Sequence, residues 1–385
     1  MIFFRLIRPN FISKTRQKLL QKKLGWSNQI GLINMKYKEL VIYYFSGTGN
    51  AKRTANWIKE EAEKANLNVR IENIVQLKNK VIEKPDKNSL IGFISPTHGF
   101  HFPEIMRKFI RLFPKANNCS AFIMNTRAGI RIGSKTLRGI SGVLHGWSSM
   151  VLHRKGYRIT GLFPVDLPSN WISLHPAIGK KGTDIIFRTI EPKVRHFASD
   201  MIQGKRNYKG LSISNLITDT LISPISVLYM LFGRYFFAKS FIASSKCDMC
   251  GLCERTCPVG AIKRVDNRMF WTHKCESCMK CMNSCPQKAI ETAHGFLFIT
   301  WIITSVIVGF VFNLLANISE IENMHWLQNG NLESLLSWLL VFPILFLGYR
   351  ITHWLMRFKL FERFFVLTAL THYKFWGRYK SPRKQ

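Results

Sequence analysis

From residue 36 the chain alternates short continuous apolar runs with longer amphipathic stretches. Residues 39–45 form one such run, as a parallel strand buried on both faces requires. A glycine-rich turn follows at residues 46–50, and residues 51–65 carry helical periodicity. Residues 69–71, 90–95, 121–125 and 157–164 are further strand candidates. Residues 107–113, 134–154 and 185–203 contain helical candidates. This rhythm predicts an α/β fold, a doubly wound parallel sheet with helices on both faces.

Three later stretches carry few or no charges. TLISPISVLYMLFG, between Asp219 and Arg234, has fourteen uncharged residues with Pro224 among them. That is short for a membrane span and suits a buried or interfacial helix; it reads as a docking helix, with membrane insertion the alternative. Residues 295–319 are 25 residues without a charge, long enough to cross a bilayer. Residues 334–349 add sixteen more, and reach spanning length if residues 351–356 continue the helix with Arg350 snorkelling. Trp326, Trp338 and Trp354 are candidate interface anchors.

Charge orients this hairpin. Its connecting loop holds Glu320, Glu322 and Glu333 and no Lys or Arg, whereas Arg357, Lys359, Arg363, Lys374, Arg378, Lys380, Arg383 and Lys384 follow the second stretch. The expectation is a cytoplasmic tail, with the preceding domains on the same side. The net charge is +34, yet no zinc-finger, RRM or homeodomain pattern accompanies it, so no nucleic-acid partner is expected. Residues 1–35 hold seven basic residues and no acid, and read as a basic extension suited to an anionic membrane surface.

Eight of the nine cysteines fall into two copies of one pattern. Cys247, Cys250, Cys253 and Cys257 run C-x2-C-x2-C-x3-C and precede Pro258. Cys275, Cys278, Cys281 and Cys285 repeat it before Pro286. Zinc favours two separated pairs of ligands rather than triplets followed by Cys-Pro. Disulfides suit a small secreted domain, and no cleavable signal peptide is read here. Cys119, alone in CSAFIM, reads as a core residue.

CDMCGLCERTCPVGAI over CESCMKCMNSCPQKAI resembles the two-cluster bacterial ferredoxins. The resemblance implies two [4Fe–4S] clusters with crossed fourth ligands: Cys247, Cys250, Cys253 and Cys285 for one, Cys275, Cys278, Cys281 and Cys257 for the other. YYFSGTGNA resembles the phosphate loop of flavodoxins. The two together resemble the bacterial fused flavodoxin–ferredoxin family over residues 36 to about 292. That resemblance implies strand order 2-1-3-4-5 and FMN at the carboxyl ends of the strands. Its phosphate loop would be Ser46, Gly47, Thr48, Gly49, Asn50 and Ala51. Ser95, Pro96, Thr97, His98, Gly99 and Phe100 would flank one side of the flavin ring. Asn125, Thr126, Arg127, Ala128 and Gly129 would flank the other. Leu167, Pro168, Ser169, Asn170 and Trp171 resemble a further family segment. Flavodoxins are acidic here, whereas these two ring loops have no Asp or Glu and bring His98, His101, Arg127 and Arg131. The expectation is a ring environment that favours negative charge.

The domains read as a basic extension (1–35), a flavodoxin-like domain (36–205), an apolar linker (206–243) and a small α+β ferredoxin domain (244–293). A transmembrane helical hairpin (295–357) and a basic tail (358–385) follow. The expected function is electron transfer at the cytoplasmic face of a membrane, between unidentified redox donor and acceptor proteins or to a membrane-bound acceptor. No acid–base or nucleophile constellation marks a substrate-specific enzyme. Two alternatives stay open at this stage: a membrane reductase for a quinone or lipid, and a redox sensor with a vestigial flavin site.

Overall fold

The computed structural model describes residues 36–132, 135–316 and 331–378. The basic extension, the loop with Glu320, Glu322 and Trp326, and the last tail residues lie outside them. Strands β1 (Glu39–Tyr44), β2 (Asn68–Asn73), β3 (Ser89–Pro96) and β4 (Cys119–Ile132) pair in parallel in the order 2-1-3-4. A short β5 (Lys135–Leu137) turns back antiparallel to β4, and β6 (Tyr157–Pro168) pairs in parallel with β4. Counting parallel strands alone, this is the flavodoxin-like order 2-1-3-4-5. Residues 134–154 depart from expectation. Their helix covers only Leu144–Arg154, because Lys135–Leu137 completes a hairpin with the end of β4.

Helices α1 (Asn50–Lys64) and α4 (Lys180–Ile202) cover one face of the sheet; α2 (Glu104–Leu112) and α3 (Leu144–Arg154) cover the other. Side chains alternate across a strand. Accordingly Leu40 and Ile42 pack with Trp57, Ile186 and Phe197, while Val41 and Tyr43 pack with Met106, Ile110 and Leu152. Cys119 is fully buried in this second layer, its thiol 3.2 Å from the Ser89 carbonyl. Burial pushes that thiol up to about 12.

The linker folds as α5 (Ile213–Leu221), α6 (Ser223–Leu228), a π-helical turn (Tyr229–Gly233) and α7 (Arg234–Ala238). The cysteine-rich domain follows. In it β7 (Phe241–Ala243) pairs antiparallel with β10 (Ile290–Thr292), and β8 (Ile262–Val265) with β9 (Arg268–Trp271). Asp266 and Asn267, both at positive φ, close the β8–β9 hairpin as a two-residue turn requires. Short helices α8 (Leu252–Arg255) and α9 (Lys280–Ser284) occupy equivalent places in the two cysteine repeats.

Helices α10 (His294–Ala316) and α11 (Asn331–Leu355) pair as a hairpin. Their stretches His294–Leu314 and Leu336–Leu355 are long and apolar enough to cross a membrane. The hairpin is bolted to the cysteine-rich domain. Tyr349 Oη donates to the Phe241 carbonyl at 2.8 Å and accepts from the Trp271 N–H at 3.3 Å. Beyond α12 (Lys359–Leu367) the chain returns to the same domain. There Arg378 donates to the Ile290 and Lys288 carbonyls and pairs with buried Glu291 at 2.9 Å.

Candidate functional site

The carboxyl ends of β1, β3, β4 and β6 open on one crevice, where α/β sheets place ligands. Its walls are Ser46, Gly47, Thr48, Asn50 and Ala51, then Pro96, Thr97 and His98, then Thr126, Arg127 and Ala128, then Pro168, Ser169, Asn170 and Trp171. Residues 168–171 thus join the three loops read as flavin-binding, while Leu167 is buried in the core. Gly49 sits at φ 107°, a conformation glycine adopts without strain, and its N–H donates to Ser46 Oγ at 3.0 Å. Asn50 Nδ2 bonds the Pro168 carbonyl at 2.9 Å and ties the turn to β6. Asn125 lies behind the wall. Its amide donates to Thr97 Oγ1 and Ser141 Oγ, and its carbonyl faces His145 Nε2 at 2.7 Å. Gly129 lies along β4, opposite Pro168 of β6.

The outer wall comes from elsewhere in the chain. Ser277 and Cys278 complete the lining. A Cβ on Gly47 would lie 2.4 Å from the Cys278 carbonyl oxygen. The loop of the second cysteine repeat therefore presses directly on the glycine turn. Gly99 and Phe100, both at positive φ, form a tight turn closed by reciprocal His98 and His101 backbone bonds. Tyr229 of the linker covers Gly99, where a Cβ would strike its ring at 2.0 Å, and Ser226 Oγ donates to the Phe100 carbonyl.

An FMN would meet a suitable donor set here. Backbone at residues 46–51 suits its phosphate. Trp171 Nε1, Ser277 Oγ and His98 Nδ1 are buried polar atoms without a partner, and all three residues line the crevice. The space is smaller than the group. The cavity measures about 70 Å³, against roughly 300–1,000 Å³ for ligand pockets. Asn170 Nδ2 also bridges it to Thr48 Oγ1. The donors fit a phosphate and polar ring edges, and the cavity would have to widen to admit the whole group.

The charge expected at the ring is corrected by the surroundings. Arg127 is almost wholly buried and pairs with Asp166, Nε to Oδ1 at 2.7 Å and Nη2 to Oδ2 at 3.3 Å. The ring loops carry no acid, but β6 brings one opposite Arg127 in register. Burial lowers His98 to about 4 and His101 to about 3, so neither imidazole is charged near neutral pH. The Arg131 side chain lies outside the described residues.

One cavity draws cysteines from both repeats. Cys257, Cys275, Cys278 and Cys281 line one small cavity with Phe241, Ile262 and Trp271. Cys247, Cys250, Cys253 and Cys285 also lie near enough for their charges to interact, and Cys253 and Cys281 do so across the two groups. Cys250 is exposed and the other seven cysteines of the two repeats are partly covered. Burial pushes Cys278 up to about 12 and Cys253 to about 11. A cluster that took these thiols as ligands would have to displace those protons.

Three groups in this region have no counterpart in the sequence motifs. Glu276, between Cys275 and Ser277, accepts the first N–H groups of α2, Glu104 at 3.1 Å and Ile105 at 3.2 Å. It caps a helix of the other domain, and burial raises its carboxyl to about 7. Lys239 is buried, donates to the Trp271 carbonyl at 2.7 Å, and lies over the Phe270, Phe346 and Tyr349 rings. Burial lowers it to about 8. Tyr229 is the third. Only the cysteine spacing and an acid within CESC are visible in sequence; the partners across domains are not.

Residues 241–263 match the Fer4 family, described as a 4Fe-4S binding domain. No curated protein matches the chain. Among solved structures, oxidised flavodoxin 1 from Bacillus cereus is 14% identical, covering 43% of this chain and 97% of its own, with a TM-score of 0.30. A flavodoxin from the domain Archaea is 14% identical over 42% of this chain and 99% of its own, with a TM-score of 0.26. General stress protein 14 from Treponema denticola, solved in complex with FMN, is 7% identical over 42% and 99%, with a TM-score of 0.27. The chain thus joins a flavodoxin-like parallel sheet to a 4Fe-4S ferredoxin-type region and two apolar helices of spanning length.

Proposed function

We propose that this chain is a membrane-anchored electron carrier holding two [4Fe–4S] clusters. Four cysteines from both repeats, Cys257 with Cys275, Cys278 and Cys281, around one cavity support this most directly. The duplicated spacing supports a second cluster on Cys247, Cys250, Cys253 and Cys285. The first of these clusters would border the crevice through Cys278; the other would reach the surface at Cys250. Electrons would exchange with a partner at Cys250 and pass inward. FMN is proposed to bind through residues 46–51, with the crevice widened; no step is assigned to it.

Anaerobically prepared protein is expected to hold about eight iron and eight sulfide per chain. Stoichiometric zinc with no iron after reconstitution would sink the proposal. Flavin analysis of the same sample tests the crevice, and no flavin at saturating FMN would make the sheet a scaffold.

The charge asymmetry of the hairpin supports a cytoplasmic tail. A topology reporter after Gln385 is expected to read cytoplasmic, and one near Asn329 external. Two cytoplasmic readings would remove the two-span arrangement.

A further inference from the structure

The linker has two faces with different surroundings. Asp219 accepts the Ser141 and Gly142 N–H groups at 3.0 and 2.8 Å, Ser226 bonds Phe100, and Tyr229 covers Gly99. These residues hold α5 and α6 against the crevice loops. The other face is a stripe of Ile213, Ile217, Leu221, Ile225, Leu228 and Leu231, spaced three or four apart. All six are exposed, Ile213 at 79% and Leu221 at 75%. So large a contiguous apolar stripe marks an interaction surface.

Two observations identify what covers it. Phe232, at the C-terminal end of this segment, packs on Trp338 and Phe342 of α11 at 5.3 and 5.5 Å between ring centroids. Both partners lie inside the stretch Leu336–Leu355. The segment that carries the stripe thus abuts a helix long and apolar enough to cross a membrane. Exposed Lys205, Arg206 and Lys209 precede it and form a basic rim of the kind anionic headgroups attract. The helix pair Ile213–Leu221 and Ser223–Ala238 bends by 53°. A bend of this size lets one side follow the crevice while the other follows a surface.

We infer that the linker is a third membrane element, its outer stripe immersed in the lipid bilayer and its inner face closing the crevice. The turn at Gly99 and Phe100 is thereby held at the membrane surface, and a lipid-soluble molecule could reach the crevice mouth without crossing water. This rests on the reading of α10 and α11 as a membrane hairpin.

The test uses the full chain in vesicles of phosphatidylcholine and phosphatidylglycerol containing a diazirine-bearing phosphatidylcholine. After photolysis, mass spectrometry maps the labelled residues. The expected result is label on Leu221, Ile225 and Leu228 as well as on α10 and α11, with none on Asn215, Asp219 or Ser226. Label on the hairpin with an unlabelled linker would overturn the inference and give the stripe to a protein partner. Label on neither would remove the membrane hairpin itself, and this inference with it.

Discussion

Replacing Arg127 with alanine is expected to cost about 3–5 kcal/mol of stability, because it strands a buried carboxylate. Arg127 and Asp166 face one another on β4 and β6, and their side chains are 3% and 14% exposed. Asp166 keeps one other donor in view, the Gly139 N–H at 2.8 Å. A single neutral hydrogen bond does not offset the desolvation of a carboxylate in this setting. Removing both partners leaves no unpaired charge. Arg127→Ala with Asp166→Ala should therefore recover much of the loss. Thermal unfolding of the detergent-solubilised protein measures both variants. Equal stabilities for the single and double variants would show that the stranded Asp166 carboxylate is not the source of the loss. The same pairing removes the reason to expect Arg127 to stabilise negative charge on a flavin ring.

The sequence places Arg127 in a loop without acids, and that statement is correct for the loop. Asp166 lies 39 residues away, and nothing in the hydrophobic pattern specifies the register of β6 beside β4. Strand identity is legible because a buried parallel strand must read as an apolar run, as in Leu40 to Phe45. Sheet order follows from the resemblance rather than from the pattern. Lys135–Leu137 escapes notice because three residues carry no periodicity. The linker illustrates the same limit. Its composition is apolar throughout, so sequence shows a docking helix but not that Tyr229 and Ser226 face the crevice while Leu221 and Ile225 face outward. The duplicated cysteine spacing is fully legible because it is local. The crossing came only from resemblance, and Cys278 against Gly47 not at all.

That crossing can be tested by counting iron in double variants. Cys257 follows its own repeat's triplet by only a few residues, yet it lines a cavity with Cys275, Cys278 and Cys281. Proline follows it directly, and the Cys257 thiol accepts the Ala261 N–H at 3.2 Å. If ligation follows that geometry, Cys257→Ala and Cys278→Ala damage the same cluster. The combined variant should retain about four iron, from the intact cluster of Cys247, Cys250, Cys253 and Cys285. Cys257→Ala with Cys250→Ala strikes both clusters and should retain almost none. Uncrossed ligation predicts the reverse, since Cys257 would then share a cluster with Cys250. Iron and sulfide analysis of anaerobic preparations separates the two, with electron paramagnetic resonance reporting whether the remaining centre is intact. The expected effect is large because each lost cluster removes both its electron and the cross-link it makes between the repeats. Four iron in the Cys257→Ala, Cys250→Ala protein would overturn the crossed assignment. It would also detach the cluster at the crevice from the first repeat, leaving Cys278 against Gly47 as a packing contact with no part in joining the two centres.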